Sequence, residues 1–150
     1  MAVRVQTEDF DLGHELNALR AGRTDIGALA SFVGLVRGSS QGEAIDAMTL
    51  EHYPGMTEKA LAEIEAQAQA RWTLQASLII HRTGRLLPGD QIVLVATASP
   101  HRGDAFASAE FLMDYLKSRA PFWKKEGTAN GGRWVDARDS DAEALDRWST

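Results

Sequence analysis

Residues 74–121 read LQASLIIHRTGRLLPGDQIVLVATASPHRGDAFASAEFLMDYLKSRAP, which is two strands, a tight turn and a helix in succession. Leu74 to Arg82 and Gln91 to Ser99 are apolar, β-branched runs of strand length. Between them Leu87-Pro88-Gly89-Asp90 supplies turn formers. From about Asp104 to Ala120 the period changes: Phe106, Ala109, Met113 and Leu116 recur at helical spacing and predict a buried face. Pro121 pushes Ala120 out of helical geometry, so the helix ends there.

The flanking segments continue the mixture. Met56 to Trp72 sets Ala60, Leu61, Ile64 and Ala68 against Glu58, Lys59, Glu63 and Glu65, an amphipathic helix. Ahead of it, Ala44 to Tyr53 reads as a strand with Asp46, Met48, Leu50 and His52 on one face, broken by Pro54-Gly55. Ile26 to Arg37 is a further strand, running into Gly38-Ser39-Ser40-Gln41-Gly42. Phe10 to Arg20 is a short helix through Leu12, Leu16 and Leu19. Beyond Pro121, Phe122 to Glu126 and Arg133 to Arg138 are short strands around a Gly-rich loop. Ser140-Asp141-Ala142-Glu143 then has the pattern of a capping box. No repeat or linker divides the chain, so one domain over 1–150 is expected. Hairpin-joined strands with inserted helices predict an α+β fold with a mainly antiparallel sheet. The pairing order of the strands is not recoverable from one sequence.

The 44% hydrophobic content of these 150 residues is enough to fill one core. No apolar run approaches a bilayer span. The first residues, MAVRVQTEDFDLGHEL, place acids where a signal peptide needs an apolar stretch. With no cysteine, disulfides, thiolate nucleophiles and cysteine metal sites are excluded, and a cytoplasmic enzyme is the simplest fit. A net charge of −5 disfavours nucleic acid as a partner. Yet Lys117, Arg119, Lys124, Lys125, Arg133 and Arg138 crowd one stretch, which suits a small anionic ligand.

Within that stretch, Lys117 falls in the last turn of a helix, where the dipole favours a cation. Strand alternation puts Phe122, Lys124 and Glu126 on one face, with Trp123 and Lys125 on the other. Two readings of Lys117 and Lys124 stand: a close pair whose mutual repulsion lowers their pKa values, or ordinary surface lysines. His101 and Arg102 sit where a strand passes into a helix. There they would either clamp an anion at unpaired backbone N–H groups or face water. Arg37, at the end of a strand before a glycine-rich loop, is an anion contact or a solvated strand end. His81-Arg82 lies on an alternating strand and reads as structural. His14 and His52 lack partners at metal-ligand spacing. There is no P-loop, no GxGxxG and no Gly-x-Ser-x-Gly.

Taken together, Phe32-Val33-Gly34-Leu35-Val36-Arg37, Leu50-Glu51-His52-Tyr53, His81-Arg82-Thr83-Gly84, Ser99-Pro100-His101-Arg102 and Leu116-Lys117-Ser118-Arg119-Ala120-Pro121-Phe122-Trp123-Lys124-Lys125-Glu126 resemble the molybdopterin synthase large subunit family. The stretches occur in the family's order over most of the chain. The resemblance implies a hammerhead-like α/β arrangement and a sulfurtransferase that makes the dithiolene of molybdopterin from cyclic pyranopterin monophosphate. Sulfur would arrive as a thiocarboxylate on the C-terminal Gly-Gly of a small ubiquitin-like subunit. The assembly implied is a heterotetramer around a homodimer of large subunits. No metal or cofactor is implied, and a membrane or nucleic-acid partner is not expected.

By position, Lys117 and Lys124 match the family's catalytic lysines. Leu35, Val36, Arg37, His101, Arg102, Lys125 and Glu126 match substrate-binding positions, with Glu126 placed to orient Lys124. Arg138 would reach a site from the neighbouring subunit. Phe32 and Met113 would line the pocket or belong to the core. Two rival readings remain. A noncatalytic module holding a ubiquitin-like tail would tolerate loss of both lysines, and a phosphate-ester hydrolase would act without a protein partner.

Overall fold

Strand-forming and helix-forming segments alternate along the chain, and the computed structural model shows how they pair. It describes residues 2–40, 42–128, 131–135 and 139–149, with the backbone alone at 40, 128, 131–135 and 139–142. In chain order the elements are β1 (Ala2–Gln6), α1 (Leu12–Arg20), β2 (Ala28–Leu35), β3 (Ser39–Ser40), β4 (Glu43–His52), α2 (Met56–Arg71), β5 (Ala76–Arg82), β6 (Gly84–Leu86), β7 (Gln91–Ser99), α3 (Arg102–Arg119), β8 (Phe122–Thr128), β9 (Gly131–Val135) and α4 (Asp139–Asp146). Among them no helix is long and apolar enough to cross a membrane.

The strands form two sheets. The first has the order β1-β5-β7-β2 and is antiparallel except for the parallel β1–β5 pair. The second runs β3-β4-β8-β9, with β6 also on β4, and is antiparallel throughout. This is the α+β, antiparallel-dominated architecture that the sequence predicts.

β5 and β7 explain why residues 74–99 read as continuous apolar runs: both strands are covered on both faces. On one side α2 and α3 bury Leu61, Ile64, Ala68, Phe111, Leu112 and Leu116 against Ile79, Val93 and Val95. On the other, α1 lays Leu12, Leu16 and Leu19 over Leu78, Ile80, Leu94 and Ala96. A third cluster, Val36, Met48, Leu50 and Leu86, fills the second sheet beside Ile92. At about 25 cal/mol per Å² of apolar area removed from water, these clusters dominate the driving force for folding.

Three expectations need correction. Phe106 does not face the core; it is 66% exposed, and the buried stripe of α3 is Ala105, Ser108, Ala109, Phe111, Leu112 and Leu116. The sheet comes too close for a phenyl ring at that angle: the Thr97 hydroxyl donates to the Ala105 carbonyl at 2.7 Å, so small residues face it. Asp46 does not share a face with Met48 and Leu50, because a bulge between Ile45 and Ala47 turns it outward and buries Ile45 instead. Glu65, assigned to the polar side of its helix, is buried and accepts a hydrogen bond from the Ser77 hydroxyl; burial raises its pKa.

Two glycines have positions that other residues could not fill. A Cβ on Gly27 would lie 2.0 Å from the Pro100 carbonyl oxygen, which lets β2 start hard against the end of β7. Gly84 has φ of 87° and makes the turn from β5 into β6.

Candidate active site

Lys117 is brought into place by the end of α3. The helix stops at Ala120, which is extended (φ −75°, ψ 139°) ahead of Pro121, and Leu116 is buried one residue before the exposed Lys117. The chain then enters β8. Its register pairs Phe122 with His52, Lys124 with Leu50 and Glu126 with Met48. Phe122 and Lys124 are partly covered, Glu126 is buried, and Trp123 and Lys125 are exposed. The predicted alternation therefore holds, and it selects Lys124 over Lys125 for the inner face. Phe122 and Lys124 are two residues apart on that face, ~7 Å along the strand.

Phe122 is the centre of the group. The ring of His81, at the end of β5, stacks on it with centroids 3.8 Å apart and 17° between planes. His52, at the end of β4, lies 6.2 Å from the same ring. The His81 pKa is lowered to about 4, first by burial, then by the charge of Lys117 and by His52. Lys117 thus acts on the histidine through its charge. His81, His52 and Phe122 gather at the ends of β5, β4 and β8, with Lys124 two residues along β8 and Lys117 near the end of α3.

The two histidines are held in defined states. His81 Nδ1 lies 2.9 Å from the Arg82 carbonyl, which can only accept, so Nδ1 carries the proton. The Thr57 hydroxyl donates to the Tyr53 carbonyl at 2.8 Å, leaving its lone pair to accept from His52 Nδ1 at 3.1 Å. Arg82 is structural. Its guanidinium donates to the Thr7 and Gln91 carbonyls, tying down the chain after β1 and the start of β7.

The remaining predicted residues fall into two groups. Arg37 is exposed just past β2. There Val36 N–H donates to the Asp90 carbonyl at 2.9 Å and Gly89 N–H donates to the Val36 carbonyl at 2.8 Å. Leu35 pairs with Gln91, and His81 pairs with Val93 of the same strand, so Arg37 is at the Lys117 end of the first sheet. Leu35 is 54% exposed, and Val36 is core, 5% exposed. Phe32 is exposed, whereas Met113 packs against the core.

His101 and Arg102 are exposed at the start of α3, and the His101 side chain makes no capping bond. They lie at the opposite end of the sheet, where Ser99 pairs with Ala28. Fifteen helical residues separate Arg102 from Lys117, ~22 Å. One copy of the chain therefore brings Arg37, Lys117 and Lys124 to one end and His101 and Arg102 to the other. Arg138 and the side chains of the capping box up to Ala142 lie outside the described residues.

Sequence reasoning passes over His81, His52 and Phe122 as site residues. The available signal is a histidine at the inner end of each of two strands, but only the pairing of β4 with β8 and the approach of α3 bring them together. Among the described residues no three His, Cys, Asp or Glu side chains gather to hold a metal. Two shallow depressions, one against Met56, Lys59, Ala60 and Glu63 and one against Arg20, Arg23 and Ile26, contain none of these groups. This end of the molecule offers ammonium groups, a neutral imidazole and an aromatic ring, which suits binding an anion and stabilising developing negative charge.

Comparison with known proteins places these residues in context. The family model described as MoaE protein matches residues 5–119. A molybdopterin synthase catalytic subunit from Ralstonia nicotianae is 65% identical over 146 residues, covering 97% of this chain and 83% of that protein. Among solved structures, the molybdopterin biosynthesis MoaE protein from Burkholderia ambifaria superposes with a TM-score of 0.85 at 62% identity, covering 100% of this chain and 99% of the other. A chain of the molybdopterin synthase structure from Staphylococcus aureus reaches a TM-score of 0.82 at 31% identity, covering 88% and 95%.

Proposed function

The chain belongs to the MoaE family, and on that premise we propose that it moves sulfur from the thiocarboxylate tail of a small ubiquitin-like carrier to cyclic pyranopterin monophosphate. It is an enzyme of molybdenum-cofactor biosynthesis, the catalytic subunit of a molybdopterin synthase. In each of two transfers the tail's sulfur forms a bond to a substrate carbon as that carbon's bond to oxygen breaks, the oxygen leaving once as water and once with the phosphate, whose ring opens to a monoester. Hydrolysis of the acyl–sulfur bond then returns the carrier with a carboxylate. Two such steps give the dithiolene.

The observation that carries this reading is that Lys124 lies on the same face of β8 as Phe122, on which His81 stacks, and that the charge of Lys117, near the end of α3, acts on that same histidine. One ammonium pairs with the anionic sulfur donor. The other offsets the charge that develops as oxygen leaves, or delivers the proton that makes it water. Arg37 at the same end supplies a guanidinium for the cyclic phosphate. A second copy of the chain would bring His101 and Arg102 to the cleft from their distant end, consistent with a homodimer at the centre of a heterotetramer. A cytoplasmic location fits a cysteine-free chain.

Exchange of either lysine for alanine tests the assignment. Lys117→Ala and Lys124→Ala are expected to lower turnover at least ~100-fold while leaving affinity for the carrier within a few-fold. Loss of carrier binding in parallel with turnover would make the lysines docking residues and favour a noncatalytic tail-binding module.

A further inference from the structure

Ammonium and guanidinium groups only donate hydrogen bonds. Lys117, Lys124 and Arg37 therefore answer the anionic sulfur donor and the cyclic phosphate. A pterin also carries N–H groups, and these need acceptors.

His81 is an acceptor already set in one direction. Its Nδ1–H donates to the Arg82 carbonyl at 2.9 Å, so Nε2, on the other edge of the ring, holds the lone pair. The ring stacks on Phe122 with centroids 3.8 Å apart, and Phe122 shares its face of β8 with Lys124, two residues on. The stack and the Nδ1 bond together hold the ring in one orientation. Burial keeps it neutral at ordinary pH. Only 9% of the residue is exposed, and Nε2 has no hydrogen-bond partner among the described residues. It is nevertheless not sealed from solvent, so an incoming donor can reach it. A buried polar side chain with an open, unanswered lone pair calls for an explanation, and a ligand donor supplies one.

We propose that the Nε2 lone pair of His81 accepts a hydrogen bond from a ring or amino N–H of the pterin, fixing the heterocycle near Phe122 while the cations hold its phosphate. His81 is then a specificity-determining residue: it favours a heterocycle with a donor at that position over a phosphate ester without one.

This inference rests on the reading that the pterin binds at the Lys124 end of the molecule, and the first measurement keeps the two claims apart. It is nitrogen-15 NMR of the histidine rings in the chain bound to unsulfurated carrier, titrated with cyclic pyranopterin monophosphate, which then binds without reacting. The unprotonated Nε2 resonance of His81 is expected to move upfield, away from the value of a free lone pair. Its Nδ1–H resonance and the ring of His14 should stay unchanged. Saturable binding of the pterin with an unmoved Nε2 resonance would overturn the proposal and leave the substrate assignment standing. No binding at all would overturn both.

The second measurement is steady-state kinetics of the reconstituted complex for two variants, with melting temperature recorded alongside. A Gln side chain places an acceptor oxygen near the Nε2 position; an Asn side chain reaches only the Nδ1 position and keeps the bond to Arg82. His81→Asn is expected to raise KM for the pterin roughly 10-fold, the worth of one hydrogen bond. Its kcat should stay within a few-fold, the pattern of a contact made equally before and during the reaction. His81→Gln should keep KM within a few-fold. An unchanged KM in His81→Asn, or equal losses in both variants that track their melting temperatures, would make the histidine a structural residue only.

Discussion

His81 shows how a single side chain records its surroundings. Its pKa falls from 6.5 in the unfolded chain to about 4 in the fold, chiefly through burial. A histidine with a depressed folded pKa stays neutral while the unfolded chain takes up a proton, so its contribution to stability is full above about pH 6.5 and is lost as pH falls toward about 4. The difference corresponds to roughly 3 kcal/mol across that window. Denaturation of the wild type at stepped pH should show this loss, and His81→Leu should flatten it; identical slopes would place the titration elsewhere. The inner-face position of Lys124 is legible in the sequence, because strand alternation needs no tertiary information. The state of His81 is not, since it depends on burial by an aromatic ring forty-one residues away.

Helix and strand boundaries agree best where patterns are long. β7 is observed at the predicted Gln91–Ser99, and α2 ends one residue short of its predicted limit. β1, β3 and β6 escape the sequence reading; each spans five residues or fewer, too short for a period to stand out. The position of α3 is readable but its inner face is not, because bulk marks Phe106 as buried while the close approach of the sheet demands alanine and serine. The consequence is measurable. Phe111→Ala, which empties a fully buried ring that packs against Trp72, Tyr115 and Trp148, should cost about 3–5 kcal/mol. Phe106→Ala should cost less than ~1 kcal/mol. Chemical denaturation of both variants checks the pair, and reversed magnitudes would contradict the helix face described here.

Across the whole molecule the predicted site cations separate into two sets at opposite ends of the first sheet; the predicted helix already implies this for Arg102 and Lys117, whereas strand pairing is needed to place Arg37. His101-Arg102 and Lys117 share a helix in the sequence, and that same helix holds them ~22 Å apart. If a second copy completes each cleft, mixing inactive Lys117→Ala protein with inactive Arg102→Ala protein should restore activity. Random exchange would give up to about a quarter of the wild-type rate, because one of the two clefts in a mixed dimer then carries both intact residues. No recovery after subunit exchange would confine each cleft to one chain.

The central claim is that this fold transfers sulfur from a protein carrier to a pterin. Its most direct test combines the purified chain, thiocarboxylated small subunit and cyclic pyranopterin monophosphate, omitting each in turn and following dithiolene formation as a fluorescent oxidised derivative. Product that requires all three components is the predicted result. A stable complex with the small subunit that forms no dithiolene, or product that forms without this chain, would contradict it.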